Sequence, residues 1–303
     1  MARPSAPAAG TWDRPAKFRT PAKPPEEVVL NYRHAFHAGN FADLVKHAAL
    51  LAVLARLTTG RSPLFVLDTH AGRGLYDLRG EESQRSGEAK AGVARLMQAQ
   101  DLPAALVPLR DAVSALNPGG GVQFYPGSPR LIADCLRPGD RYVACELRAE
   151  EHQALAANLK GRPGIETSCV DGYAAALQRL PDRGRALVLI DPPFERADDY
   201  QRIVETLAGL ARRNPAAAVM IWLPIKDLET FDGFLREAED AGAGPLTVVE
   251  ARMRPLTDPM KMNGCALVLA RPPADLAAEL SEICSWTVRS LGEGGQARVW
   301  RTG

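Results

Sequence analysis

The amino-acid sequence predicts an α/β fold built on a mostly parallel sheet. Two short apolar runs, 64–67 and 186–190, have the composition of strands that are buried on both faces, as in a parallel sheet covered by helices. Five such runs alternate with helical patterns along the chain. The last two apolar runs, LTVVEARM and CALVLARPP, are joined without room for a crossover helix, which predicts an antiparallel hairpin at the end of the sheet.

Length and composition restrict the classes of protein to consider. A chain of 303 residues with 46 % hydrophobic content suffices for one α/β domain with an insertion. The formal charge of +1 gives no overall signature of polyanion binding, so any contact with nucleic acid must be local. Five cysteines without CxxC spacing indicate a reducing compartment and no metal site. No apolar run approaches the ~18 residues that a membrane span needs.

The amino-terminal residues differ in composition from the rest. Residues 1–28 are rich in proline, alanine and scattered charge and show no apolar periodicity. Because such a segment buries too little surface to offset the entropy of ordering, we expect a disordered tail there and a folded domain over 29–303.

The first helix is predicted after a polar lead-in. Asn40 is placed to cap its amino terminus and Gly60 to occupy the C′ position. Apolar residues recur at helical spacing between them, which places Asp43, Lys46 and His47 together on the opposite side. This side is either a solvated face or part of a site. We favour a site, because the lead-in is rich in groups that stack or hydrogen-bond, namely Tyr32, Arg33, His34, Phe36 and His37.

A glycine pair follows the first buried strand. In DTHAGRG, Gly72 and Gly74 permit the close backbone approach that a bound nucleoside requires. Neither the GxGxxG dinucleotide fingerprint nor a phosphate-binding P-loop is present. A glycine pair alone is weak evidence for a nucleoside-binding loop, but its position directly after a buried strand strengthens that interpretation.

Helical patterns with a glycine-rich exit occupy about 80–121, where one crossover helix would suffice. We interpret this region as an inserted helical subdomain. Four of its basic residues either meet RNA phosphates or form an ordinary solvated face, and the sequence favours neither: Arg85, Lys90, Arg95 and Arg110.

Acidic residues follow successive predicted strands. Glu146 ends the second core strand, where a ribose diol is usually held by one carboxylate. Asp171 ends the third, where it could hold an adenine edge. With Asp68 and Asp191, four strand ends carry acids along one edge of the sheet. Ser128 is predicted to cap the helix that precedes the second core strand.

The segment LVLIDPPFERADDY carries the most specific signal. Asp191 lies at the carboxyl end of a buried strand, where ligands bind in open α/β sheets. Pro192 and Pro193 make a stiff turn with outward-facing carbonyls, and Phe194 supplies a ring for stacking. A carboxylate plus a fixed carbonyl accept both hydrogens of an exocyclic amine, so the segment predicts methylation of an amino group on a base. An ordinary strand-to-loop turn is the alternative.

The pattern of strands and acids resembles the class I S-adenosylmethionine-dependent methyltransferase fold, a Rossmann-like sheet with a terminal antiparallel hairpin. DPPF resembles the (D/N/S)PP(Y/F/W) signature of amino-methyltransferases. Four motifs in order, NYRHAFHAGNFADLVKH, DTHAGRG, YPGSP and LIDPPFE, resemble the bacterial ribosomal RNA large subunit methyltransferase J family from about Asn31 to the end. Phe194 stands where the family pattern has tyrosine, which keeps stacking and loses a hydroxyl.

The resemblance implies N6-methylation of one adenine in 23S rRNA, on protein-free RNA, by a cytoplasmic enzyme that uses S-adenosylmethionine. We expect a monomer that binds no metal and no membrane. Asp191, Pro192 and Phe194 would hold the target adenine. Tyr32 and His34 would belong to an amino-terminal segment that closes over the site. The residues expected to line the cofactor pocket are Lys46, His47, His70, Gly72, Ser128, Glu146, Asp171 and Asp191.

Two other functions fit the same residues. An enzyme of this fold could methylate DNA adenine or a protein glutamine, since both carry a planar amine; no base-reading domain is evident in the sequence. A non-catalytic RNA-binding module is the second. Intact Asp191, Glu146 and the GxG loop argue against it, because binding alone does not require a complete cofactor edge.

Overall fold

The computed structural model describes residues 34–303, and an eight-stranded sheet lies at their centre. The predicted tail over 1–28 and Tyr32 lie outside the described residues. The strands are β1 (Leu64–Asp68), β2 (Leu75–Asp77), β3 (Phe124–Pro126), β4 (Arg141–Cys145), β5 (Ile165–Ser168), β6 (Arg185–Ile190), β7 (Ala218–Ile225), β8 (Leu246–Arg252), β9 (Gly264–Ala270) and β10 (Gln296–Arg301).

The helices surround this sheet. They are α1 (Phe41–Leu57), α2 (Glu81–Ser86), α3 (Glu88–Ala91), α4 (Val93–Gln98), α5 (Val107–Leu116), α6 (Ser128–Cys135), α7 (Ala149–Asn158), α8 (Gly172–Arg179), α9 (Asp199–Arg213), α10 (Leu228–Asp240) and α11 (Ala277–Leu291), with 3-10 turns at His34–Phe36 and Ala104–Leu106. No helix in the described part of the chain is both long and apolar enough to cross a membrane.

The strand order of the main sheet is β10-β8-β9-β7-β6-β1-β4-β5. The five strands from β7 to β5 are parallel, and the predicted hairpin of β8 and β9 is confirmed, with β9 pairing antiparallel to β7. The prediction that this hairpin ends the sheet is wrong, because β10 pairs antiparallel with β8 outside it. The strands β4 and β5 are added on one side of β1, and β6 and β7 on the other. The switch point of the sheet therefore lies between β1 and β6.

Helices α2 to α5 occupy the region between β2 and β3, which pair with each other. Their apolar side chains do not form a core of their own. Val93, Leu96 and Leu109 are fully buried in the same hydrophobic cluster as Leu44 and Leu50 of α1. The packing of the helical region is therefore tied to that of α1.

Helix α1 begins where the sequence predicts and ends earlier. The Asn40 side chain accepts a hydrogen bond from the Asp43 amide, as an N-cap does. The C-cap is Thr58, so the prediction of Gly60 at C′ is wrong. The solvated-face interpretation is also wrong, because Asp43, Lys46 and His47 are 2 %, 5 % and 1 % exposed.

A predicted helix start and a predicted strand end also differ in detail from the structure. Gly127, not Ser128, is the N-cap of α6, and Ser128 is the first residue of that helix. Strand β5 ends at Ser168, so Asp171 lies beyond the strand end and caps α8 by accepting a hydrogen bond from Ala174. Both polar side chains still lie near the carboxyl edge of the sheet.

Replacing Leu109 with alanine tests whether the helical region and α1 share one core. The change removes a fully buried side chain, so we expect the free energy of unfolding to fall by about 2–5 kcal/mol. Thermal or urea unfolding should show one transition, displaced as a whole. Leu228→Ala is the matched control: because Leu228 is 38 % exposed, its replacement should lower the free energy of unfolding less. A separate early transition for the helical region would contradict a shared core.

Candidate active site

The carboxyl edge of the parallel strands gathers the predicted acids. Asp68 lies in register between Leu189 of β6 and Ala144 of β4. The Thr69 amide continues this pairing by donating to the Leu189 carbonyl at 3.0 Å. Because β4, β1 and β6 are neighbours, the residues that follow them lie beside the switch point of the sheet.

A buried lysine joins helix α1 to this edge. The Lys46 Nζ donates to Asp191 Oδ2 at 2.6 Å and contacts Asp43 Oδ1 at 2.9 Å. Burial opposes the charge on Lys46, yet the carboxylates of Asp191 and Asp43 hold its pKa well above the ordinary value. Burial likewise opposes the charge on Asp43, but His34, Lys46 and His47 hold its pKa well below the ordinary value. Lys46 is therefore a fixed cation that orients the Asp191 carboxylate.

The turn after β6 has an unusual backbone conformation. Phe194 has φ +53°, in the left-handed region that non-glycine residues rarely adopt. Its ring lies 5.0 Å from that of Tyr200 and 5.8 Å from that of Trp222. Such a conformation costs on the order of 1–3 kcal/mol and persists only where surrounding packing enforces it. The aromatic neighbours and the buried Pro192 supply that packing beside Asp191.

Glu146 joins the glycine loop to the strand edge. Its two carboxylate oxygens accept hydrogen bonds from the Gly72 amide at 2.9 Å and from the Arg148 amide at 2.8 Å. Burial raises the pKa of Glu146. Gly72 has φ +61°, and a Cβ there would lie 2.5 Å from the Tyr76 hydroxyl oxygen. The loop thus requires glycine at this position, and its backbone runs directly beside the acid.

Asp68 is fully buried, and sequence reasoning counted it among the acids without assigning it a role. Its carboxylate accepts hydrogen bonds from the Ser128 hydroxyl at 2.8 Å and the His70 amide at 3.2 Å. Burial raises the pKa of Asp68 to about 7. Ser128 thus holds Asp68 in place, and its expected position in the cofactor pocket stays a prediction.

His70 and Asp171 lie together at the β4–β5 side of the edge. The His70 Nδ1 is 2.7 Å from the Thr69 hydroxyl, and burial lowers the pKa of His70 to about 4, so the ring is neutral at pH 7. Asp171 pairs with Arg202 at 2.6 Å. The Arg202 guanidinium also stacks 4.4 Å over the Tyr173 ring. Arg202 was missed, because nothing in the sequence links α9 to Asp171.

The other two predicted histidines occupy different positions. His47 is buried, its Nδ1 lies 2.8 Å from the Tyr125 hydroxyl, and burial lowers its pKa to about 3. The structure thus places His47 against Tyr125 in the interior, and its expected position in the cofactor pocket stays a prediction. His34 hydrogen-bonds Asp43 at 3.0 Å. This contact joins the lead-in segment to the ion pairs of Lys46 with Asp43 and Asp191, called here the lysine network. Among the described residues, no group of histidine, cysteine and carboxylate side chains could hold a metal ion.

Comparisons with known proteins show the family that this chain resembles. The family model described as "Ribosomal RNA large subunit methyltransferase D, RlmJ" matches residues 61–302. Two curated relatives are both named "Ribosomal RNA large subunit methyltransferase J". The protein of Haemophilus influenzae is 33 % identical over 90 % of this chain and 99 % of its own, and that of Escherichia coli K12 is 31 % identical over 88 % and 96 %.

A solved structure has the same fold. A crystal structure of a Legionella pneumophila protein superposes with a TM-score of 0.79 and 28 % identity, over 87 % of this chain and 98 % of that one. The predicted class I methyltransferase fold is confirmed. Because the family model and both relatives span most of the chain, this protein belongs to the ribosomal RNA large subunit methyltransferase J family.

Proposed function

We propose that this chain transfers the methyl group of S-adenosylmethionine to N6 of one adenine in 23S rRNA. The observation that carries the proposal is Asp191, which is held by the buried Lys46 at the carboxyl end of β6 and followed by the rigid turn of Pro192 to Phe194. Membership of an rRNA methyltransferase family supports an RNA substrate. The site chemistry supports an amino group on a base as the acceptor.

The β1–β4–β5 half of the edge fits S-adenosylmethionine. Glu146, which accepts a hydrogen bond from the Gly72 amide, would hold a ribose diol beside the glycine loop. Asp171 would accept a hydrogen bond from the adenine edge, and the neutral His70 would add no positive charge near a sulfonium. Ser128 acts through Asp68. When bound, the cofactor supplies an electrophilic methyl group.

The β6–β7 half fits the target base. Asp191 and the Pro192 carbonyl would accept the two N6 hydrogens, and Phe194 would stack on the ring. This favours a pyramidal nitrogen whose lone pair is aimed at the methyl group. Lys46 fixes Asp191 Oδ2 and so sets the direction of the other oxygen. Asp191 need not act as a base, because the N6 proton becomes acidic after methylation and leaves to solvent.

The base must be exposed for this chemistry. An adenine inside a duplex cannot reach a carboxylate at a sheet edge, so the target is single-stranded or flipped out. We place the reaction on protein-free rRNA, in the bacterial cytoplasm, with the enzyme as a monomer. Tyr32 and His34 are assigned to a segment that closes over the site, and the contact of His34 with Asp43 supports this role.

The direct test is transfer of labelled methyl from S-adenosylmethionine to protein-free 23S rRNA, assembled 50S subunits and duplex DNA, followed by nucleoside analysis. We expect N6-methyladenosine in the free rRNA alone. Label in DNA, or in protein glutamine, would keep the fold and cofactor but reject the substrate. Cofactor binding without transfer to any acceptor would support the non-catalytic alternative.

Replacing Asp191 with alanine should abolish turnover and leave cofactor binding largely intact. The change removes an acceptor for the N6 hydrogens and an anchor of Lys46, while Asp43 still pairs with the lysine. Single-turnover kinetics and calorimetric titration with S-adenosylmethionine measure the two effects separately. Asp191→Asn keeps the shape and serves as the matched variant. Activity within a few-fold of the wild-type level would remove Asp191 from the mechanism.

The rate of methyl transfer should not fall as pH rises through the range in which an ordinary lysine titrates. Because Asp191 and Asp43 hold the pKa of Lys46 well above the ordinary lysine value of about 10.4, Lys46 stays charged where an ordinary lysine loses its proton, and kcat should stay level from about pH 9 to 11. Lys46→Arg, which stays charged throughout, is the control for RNA or protein damage at high pH. A wild-type decline between about pH 9 and 11 that the arginine variant lacks would show that Lys46 loses its proton in that range.

A further inference from the structure

The helical region between β2 and β3 is bonded to the turn that starts helix α1. Glu88, the first residue of α3, contacts the His37 ring at 2.9 Å with one carboxylate oxygen. Its other oxygen accepts a hydrogen bond from the Asn40 side-chain amide at 2.8 Å. Glu88 is separated along the chain from Asn40 by 48 positions and from His37 by 51 positions. These are therefore tertiary contacts and not part of a local turn.

The same turn is held by backbone packing. The Val93 amide donates to the Gly39 carbonyl at 2.8 Å. A Cβ on Gly92 would clash with that carbonyl oxygen, so the joint between α3 and α4 rests directly on the turn. Gly39 itself has φ +80° and lacks room for a side chain beside Val93. The turn is therefore packed directly against the joint between α3 and α4.

The turn from Gly39 to Asp43 in turn positions the lysine network. Asn40 Oδ1 accepts from the Asp43 amide at 3.0 Å, while its Nδ2 is the group held by Glu88. The Gly39 amide donates to Asp43 Oδ2 at 2.9 Å. The Asp43 carboxylate then holds Lys46 at 2.9 Å, and Lys46 holds Asp191 at 2.6 Å. A continuous series of polar contacts thus runs from the helical region to the target-base site.

We infer that Glu88 is a positioning residue for methyl transfer, which acts through the turn from Gly39 to Asp43 on the placement of Lys46 and Asp191. In this role Glu88 acts through other residues and is not itself a catalytic group. Its role is to couple the helical region to the acceptor that holds the target amine. This inference rests on the proposed function, since the rate that Glu88 affects is that of the methyl transfer.

The test uses the full-length chain, S-adenosylmethionine and the RNA that wild-type enzyme methylates. Glu88→Ala should lower kcat about tenfold or more, because misplacing a catalytic group by about 1 Å costs up to about a hundredfold. The cofactor Kd should change little, since Glu146 and Asp171 lie on the other half of the edge, and the Tm should change little because the Glu88 side chain is 35 % exposed. Glu88→Gln should recover most of the rate, as its amide oxygen still accepts from Asn40. Glu81→Ala is the matched control: Glu81 is 85 % exposed and pairs with Arg85.

A double-variant cycle separates positioning from a general structural effect. If Glu88 acts through Asp43, then adding Glu88→Ala to Asp43→Asn should lower kcat little further. Additive losses would overturn the inference, as would a rise in the RNA KM with unchanged kcat. Parallel losses of Tm and cofactor affinity in both Glu88 variants would show a structural role instead. If wild-type enzyme methylates no rRNA, the proposed function fails first, and the cycle is run on whichever substrate accepts the methyl group.

Discussion

The pairing of Lys46 with two carboxylates is the constraint on which the site depends. A buried ammonium is tolerated only with close counter-charges, and removing one partner of a buried pair costs about 3–5 kcal/mol. Asp43 on the same helix and Asp191, which lies 145 residues away in the chain, supply those counter-charges. The amino-terminal part of α1 must therefore lie against the end of β6. A less polar contact would stabilise the fold as well, so the buried ion pairs support the proposed role of Lys46 in orienting Asp191.

The strand order places the residues proposed for cofactor binding and those proposed for target-base binding on opposite sides of the β1–β6 boundary. Glu146 and Asp171 follow β4 and β5 on one side of β1, and Asp191 and Phe194 follow β6 on the other. With the proposed residue roles, the methyl donor and acceptor would meet near the boundary between β1 and β6. Asp68, which is buried there with a pKa of about 7, lies between the two halves and is held by Ser128. One topological feature thus fixes where the reacting atoms meet.

Sequence patterns predicted the features that depend on local order. Alternating apolar runs gave the five parallel strands and the hairpin, and Asn40 was recognised as a cap from its place before the first apolar residue of α1. The pairing of β10 with β8 was missed, because a short edge strand carries no signal for its partner. The contacts of Arg202 with Asp171 and of Ser128 with Asp68 were missed for a related reason: each joins segments brought together only by tertiary folding.

The near-neutral charge of the chain bears on how a large RNA would control this site. With a formal charge of +1, long-range attraction to a polyanion is weak, so specificity must come from local contacts whose binding energy is used in the transition state. The helical region shares its core with α1, and its Glu88 holds the turn that precedes Asp43. RNA contacts made there would reach Lys46 through bonded and packed groups. Binding energy gained at a distance would then help to place the acceptor for the target amine.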